Sequence, residues 1–199
     1  TPTHTLSLHD ALPISTATGL SGSGAGPYTF TIPQPADGAV SFVLNAGTPA
    51  TQDAADNDFA GGYAWGCTLD TVPPTVSATT PVDGATVTAL TQVDVTFTES
   101  VVNVEQADLL VNGAATATAL SGADAGPYSF TIPQPSDGVL NLELTAGATA
   151  TADAAGNAFA ATAWSVTLDT AAPGVSALQP VDGSTVSALT QVEVTFDEP

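Results

Sequence analysis

The chain of 199 residues has no lysine, no arginine and no methionine, and it has one cysteine, Cys67. Against that stand 20 Asp and Glu residues and a formal net charge of −20. Without cationic side chains nothing neutralises phosphate, so nucleic acid is excluded as a partner. Side-chain ion pairs are excluded as well, apart from one to a protonated histidine. Only salt or metal ions relieve the repulsion among carboxylates. This pattern suits an extracellular or high-salt setting with divalent cations; in its plainest reading it is a solubilising surface. A single cysteine forms no internal disulfide. The lack of lysine rules out a Schiff base or a Ser–Lys pair. No apolar run approaches the roughly 18 residues that a membrane helix needs, so no membrane span is expected. The opening segment also lacks the basic n-region of a signal peptide.

Histidine is scarce too. His4 and His9 are the only two, and both lie in the opening TPTHTLSLHDALPIS, residues 1–15. Leu8–Ile14 can be back-translated as CTA CAC GAC GCT CTT CCG ATC. His4–Ile14 thus resembles a widely used short-read sequencing adapter translated in frame. Residues 1–14 are read as a non-native segment and set aside from fold reasoning. With both histidines set aside, no His-based triad or dyad is left, and the window is read as non-enzymatic.

What the chain does contain is a repeat of about one hundred residues. GPYTFTIPQPADG at 26–38 returns as GPYSFTIPQPSDG at 126–138, and DNDFA at 56–60 as GNAFA at 156–160. PVDGATV at 81–87 returns as PVDGSTV at 180–186, and TQVDVTF at 91–97 as TQVEVTF at 190–196. The frame predicts the C-terminal part of one repeat at 15–71, a complete repeat at 72–171 and the start of another at 172–199. Partial repeats should leave unpaired sheet edges. Upstream of Ser15 the match to the repeat stops.

Within 72–171 the apolar residues alternate. Val93, Val95 and Phe97 form one row; Tyr128, Phe130 and Ile132 a second. Leu140, Leu142 and Leu144 form a third; Trp164, Val166 and Leu168 a fourth. Period two means strands with one buried face. Asp83-Gly84 and Asp137-Gly138 mark turns. About seven short strands without helical periodicity predict an all-β, Ig-like β-sandwich. Cys67 aligns with Val166 and is expected to be buried as a small hydrophobe. Tyr63 falls in the one-residue insertion of the first repeat and is expected to be a loop residue packing locally.

PPTVSATTPVDGATVTALTQVDVTFTESV, together with the D-x-AGN-x-F stretch at Asp153–Phe159 and the LDT-x-x-P junction at Leu168–Pro173, resembles bacterial immunoglobulin-like domains. Such domains occur in surface-layer proteins, adhesins and multidomain secreted enzymes. The resemblance implies a structural spacer on the bacterial cell surface or in a secreted protein. Its partners would be neighbouring repeats of the same chain. The alternatives are an adhesive module for a surface protein or glycan, and an accessory domain of a secreted enzyme.

The candidate ligand is calcium, which takes several oxygens from Asp, Asn and backbone carbonyls. The loop Thr151–Asn157 offers Asp153 and Asn157. Its counterpart in the first repeat offers Asp53, Asp56, Asn57 and Asp58, and Asp70 and Asp169 precede the linkers. The resemblance implies that calcium at such junctions stiffens the array. The same residues also stabilise turns by bonding their own backbone.

Overall fold

A computed structural model describes residues 6–8, 16–47 and 50–198. His4, His9 and most of the segment set apart above lie outside the described residues, as does Pro199. The chain divides into two compact units: Thr1–Pro73 with Ala155–Asn157, and Pro74–Ala154 with Ala158–Pro199.

The first unit has five strands: β1 (Leu6–Leu8), β2 (Gly19–Ser21), β3 (Thr29–Thr31), β4 (Gly38–Leu44) and β5 (Tyr63–Leu69). They form a three-stranded sheet, β1-β4-β5, and a two-stranded one, β2-β3. Part of the segment set aside in the sequence therefore pairs with the repeat. Leu6 lies opposite Leu44 and Leu8 opposite Phe42.

The second unit begins with β6 (Val76–Thr80), β7 (Thr86–Val87) and β8 (Gln92–Phe97). A short 3-10 turn at Gln106–Asp108 follows. Then come β9 (Leu109–Val111), β10 (Ala114–Ala115), β11 (Ala119–Ser121), β12 (Tyr128–Thr131), β13 (Gly138–Leu144) and β14 (Thr162–Leu168). One sheet has the order β10-β9-β13-β14-β7 and the other β11-β12-β8-β6. All pairs are antiparallel except β14 with β7. The strands are more numerous than the seven expected, because very short ones escape a reading based on alternation.

The four predicted apolar rows are all buried. Val93, Val95 and Phe97 meet Tyr128, Phe130, Leu140, Leu142, Leu144, Trp164, Val166 and Leu168 in one cluster. Residues of both sheets share this core, so the architecture is a β-sandwich. Phe97 sits at its centre, edge-on to Tyr128 at 5.8 Å and to Phe159 at 5.3 Å. The remaining strands are β15 (Val175–Gln179) and β16 (Glu193–Phe196), a paired hairpin.

Candidate functional site

In the first unit, Asp53 organises its own loop. Its Oδ1 accepts the backbone N–H of Ala55 at 2.8 Å and of Asn57 at 2.9 Å, and its Oδ2 accepts the Asn57 side-chain amide at 2.9 Å. These bonds, the Asn57 side chain first, hold the Asp53 carboxyl below the usual value of 3.8. Asp58 accepts Gln52 Nε2 at 2.7 Å. Asp56 stands in the left-handed region at φ 61°, where the second repeat has Gly156 at φ 92°. Aspartate tolerates this backbone better than most side chains do, so the substitution preserves the turn.

The junction acids behave alike. Asp70 Oδ1 accepts the N–H of Val72, and Asp169 Oδ1 that of Ala171, each at 3.1 Å. The Thr71 hydroxyl donates to Asp37 and that of Thr170 to Asp137, both at 2.9 Å. Within the first unit, Asn157 donates its amide to the backbone carbonyl of Asp70 at 3.1 Å. In Asp53, Asp70 and Asp169 the turn-forming role is therefore visible in the hydrogen bonds themselves.

Asp153 differs: it is 4 % exposed, although acids were expected in turns and on outward positions. A carboxylate oxygen of half-buried Glu99, just beyond β8, lies within 4.8 Å of one of its own. Sequence reasoning passed over Glu99, whose only signal was its place at the end of an alternating strand. Two carboxylates supply up to four of the six to eight oxygens that calcium takes, so this pair suits a hard divalent cation in chemistry.

A second acid missed in the sequence is Asp108, 1 % exposed. Its Oδ2 accepts the Glu105 N–H at 2.7 Å, in a capping box around the 3-10 turn. Gly147, at φ 71°, comes so close that a Cβ there would lie 2.2 Å from Asp108 Oδ1. Burial, reinforced by the nearby Glu105 charge, raises the Asp108 pKa above 3.8. The folded state thus holds this proton more tightly than the unfolded chain. Stability from this group is full below 3.8 and is lost as pH rises through the raised value. Asp53 has the opposite sign: its contribution is present above 3.8 and is lost only on further acidification. We expect the melting temperature of the second unit to rise as pH falls from about 7 toward about 4.5. In Asp108→Asn that rise should be smaller. Calorimetric scans across this range check it; parallel curves for both proteins would count against it.

Two expectations are corrected. Cys67 is exposed, not buried. Tyr63 opens β5 instead of sitting in a loop; it is solvent-exposed and tilted against Trp65 at 6.0 Å. Both corrections have one cause. Tyr63, Trp65 and Cys67 share the face that Thr162, Trp164 and Val166 turn into the core of the second unit. In the first unit this face is left open: Trp65 is 45 % exposed and Trp164 only 7 %.

The bacterial Ig domain family matches residues 74–172. These residues are a bacterial Ig domain. The two-sheet fold and the single core agree with that assignment. Such domains are typically non-catalytic and common in surface proteins. Among curated proteins and among solved structures, nothing matches the chain. No helix among the described residues is long and apolar enough to cross a membrane.

Proposed function

We propose that this bacterial Ig domain and its flanking repeats are spacers in the stalk of an extracellular surface or secreted protein. One observation carries the reading. The chain leaves β5 and β14 through the same fixed joint, with Asp70 or Asp169 capping the linker and Thr71 or Thr170 bonded to Asp37 or Asp137. A joint built twice in the same way suits a role in which direction is transmitted from repeat to repeat. The adhesive alternative would draw on outward aromatics. Trp65 and Tyr63 instead belong to an inner sheet face, so that reading gains nothing from them.

Small-angle scattering from two consecutive copies of residues 72–171 tests the proposal. The expected particle is extended, with a sharply defined maximum dimension. A compact or freely flexing particle would remove the spacer reading. Calcium enters the proposal at Glu99 and Asp153. At about a hundred times its dissociation constant it would add roughly 2.7 kcal/mol to stability, and Glu99→Gln should abolish the gain. Identical melts with calcium and with chelator would take calcium out of the reading.

A further inference from the structure

The first compact unit carries an open apolar groove of about 490 Å³, lined by Tyr28, Phe30, Leu44 and Phe59 beside Asp53 and Asp58. The second unit shows what fills the same place. There Tyr128, Phe130, Leu144 and Phe159 are the counterparts, and β8 runs along β12 with Phe97 inserted between Tyr128 and Phe159. Among the described residues β3 pairs only with β2, so the edge that β12 gives to β8 is open on β3. Tyr28 is 43 % exposed against 6 % for Tyr128.

The missing piece is present elsewhere in the chain. The β15–β16 hairpin repeats the β6–β8 pair in sequence and in register. Val175 faces Phe196 as Val76 faces Phe97, and Leu178 faces Val194 as Thr79 faces Val95, with the same bulge. The side chains that are buried in β8 are bare here: Phe196 is 55 % exposed against 2 % for Phe97. Val192 and Val194 are exposed as well, whereas Val93 and Val95 are fully buried.

We propose that the β15–β16 hairpin of one copy seats in the groove of the first unit of a second copy, adding the strand that this half-sandwich lacks. Groove and hairpin are both exposed in one and the same molecule, so the occupant comes from another. The second unit sets the register. Val194 lies opposite Tyr28 and Val192 opposite Phe30, and Phe196 enters between Tyr28 and Phe59. Leu189 donates its N–H to Gln34, as Leu90 does to Gln134 at 3.0 Å. Thr185 and Val186 run parallel to Thr68 and Leu69, as β7 does to β14. Each copy has one groove and one hairpin, so the contact is heterologous and builds open chains or rings. Glu193 and Asp197 approach a groove that already holds Asp53 and Asp58, so association strengthens with salt as the screening length falls to about 3 Å at about 1 M.

The test uses the 199-residue chain with two variants, Phe196→Asp and Tyr28→Asp, followed by sedimentation at high salt. Both side chains are exposed in the single molecule, so neither change removes buried packing. The unmodified chain should rise in average mass from 19.6 kDa with concentration and pass beyond the dimer. Each variant alone should stay at the monomer mass. An equimolar mixture should reach twice that mass and stop, because one variant keeps the groove and the other the hairpin. Val192→Asp should behave as Phe196→Asp does. A monomeric unmodified chain overturns the proposal, as does association of either variant alone or a mixture that fails to pair.

Discussion

Replacing Trp164 by alanine is expected to destabilise the second compact unit by roughly 3–5 kcal/mol. Trp164 is the largest side chain in the core and is 7 % exposed. It faces Leu142 across the β13–β14 pair. Its removal leaves a cavity under two sheets that share a single core, with little room for collapse. The indole N–H of Trp164 is buried without a hydrogen-bond partner. Trp164→Phe discards that N–H and keeps an aromatic ring, so it should cost well under half as much as alanine. Trp65→Ala provides the control. It takes the same place in the repeat, stacks on Phe42 at 5.3 Å and stays open to solvent. Its cost should stay below about 1 kcal/mol. Urea denaturation followed by far-ultraviolet circular dichroism measures all three. Equal losses for Trp65→Ala and Trp164→Ala would contradict the burial argument.

Phe97→Ala should have an effect of similar size, roughly 3–5 kcal/mol. Its ring lies edge-on to two other aromatics, a geometry worth about 0.5–1.5 kcal/mol beyond area burial. The matching change Phe196→Ala, in the near-identical TQVEVTF, should move stability by no more than about 0.5 kcal/mol in dilute solution. The two residues differ in surroundings and hardly at all in local sequence. Denaturation midpoints of the two variants compare them directly. A large loss from Phe196→Ala in the dilute chain would show that its exposed face is covered.

The four alternating rows of the second unit were legible in the sequence because each strand buries one face against a shared core. The periodicity of Val93–Phe97 and of Leu140–Leu144 carries that information locally. Exposure of the same rows in the first unit was not legible. Cys67 and Trp65 sit in a pattern that reads as inward, and what is absent is a facing sheet from distant sequence. Glu99 and Asp108 were missed for a related reason. Each is a single acid in an ordinary position, and tertiary packing alone brings Glu99 near Asp153 or seals Asp108 beneath Gly147. The turn roles of Asp53, Asp70 and Asp169 were visible as one of two readings, since Asx bonding is a short-range property.

The parallel pairing of β7 with β14 bears on how the domain carries tension. In an antiparallel pair pulled at one end, hydrogen bonds break one after another, like a zip. Parallel strands leave their pair at opposite ends, so a pull on the two termini slides one strand past the other. Gly84 N–H to the Ser165 carbonyl, Thr167 N–H to that of Ala85 and Asp169 N–H to that of Val87, at 2.8, 2.8 and 3.0 Å, then bear the load together. Three bonds in shear make the first and last strands of the sandwich a clamp across the fold.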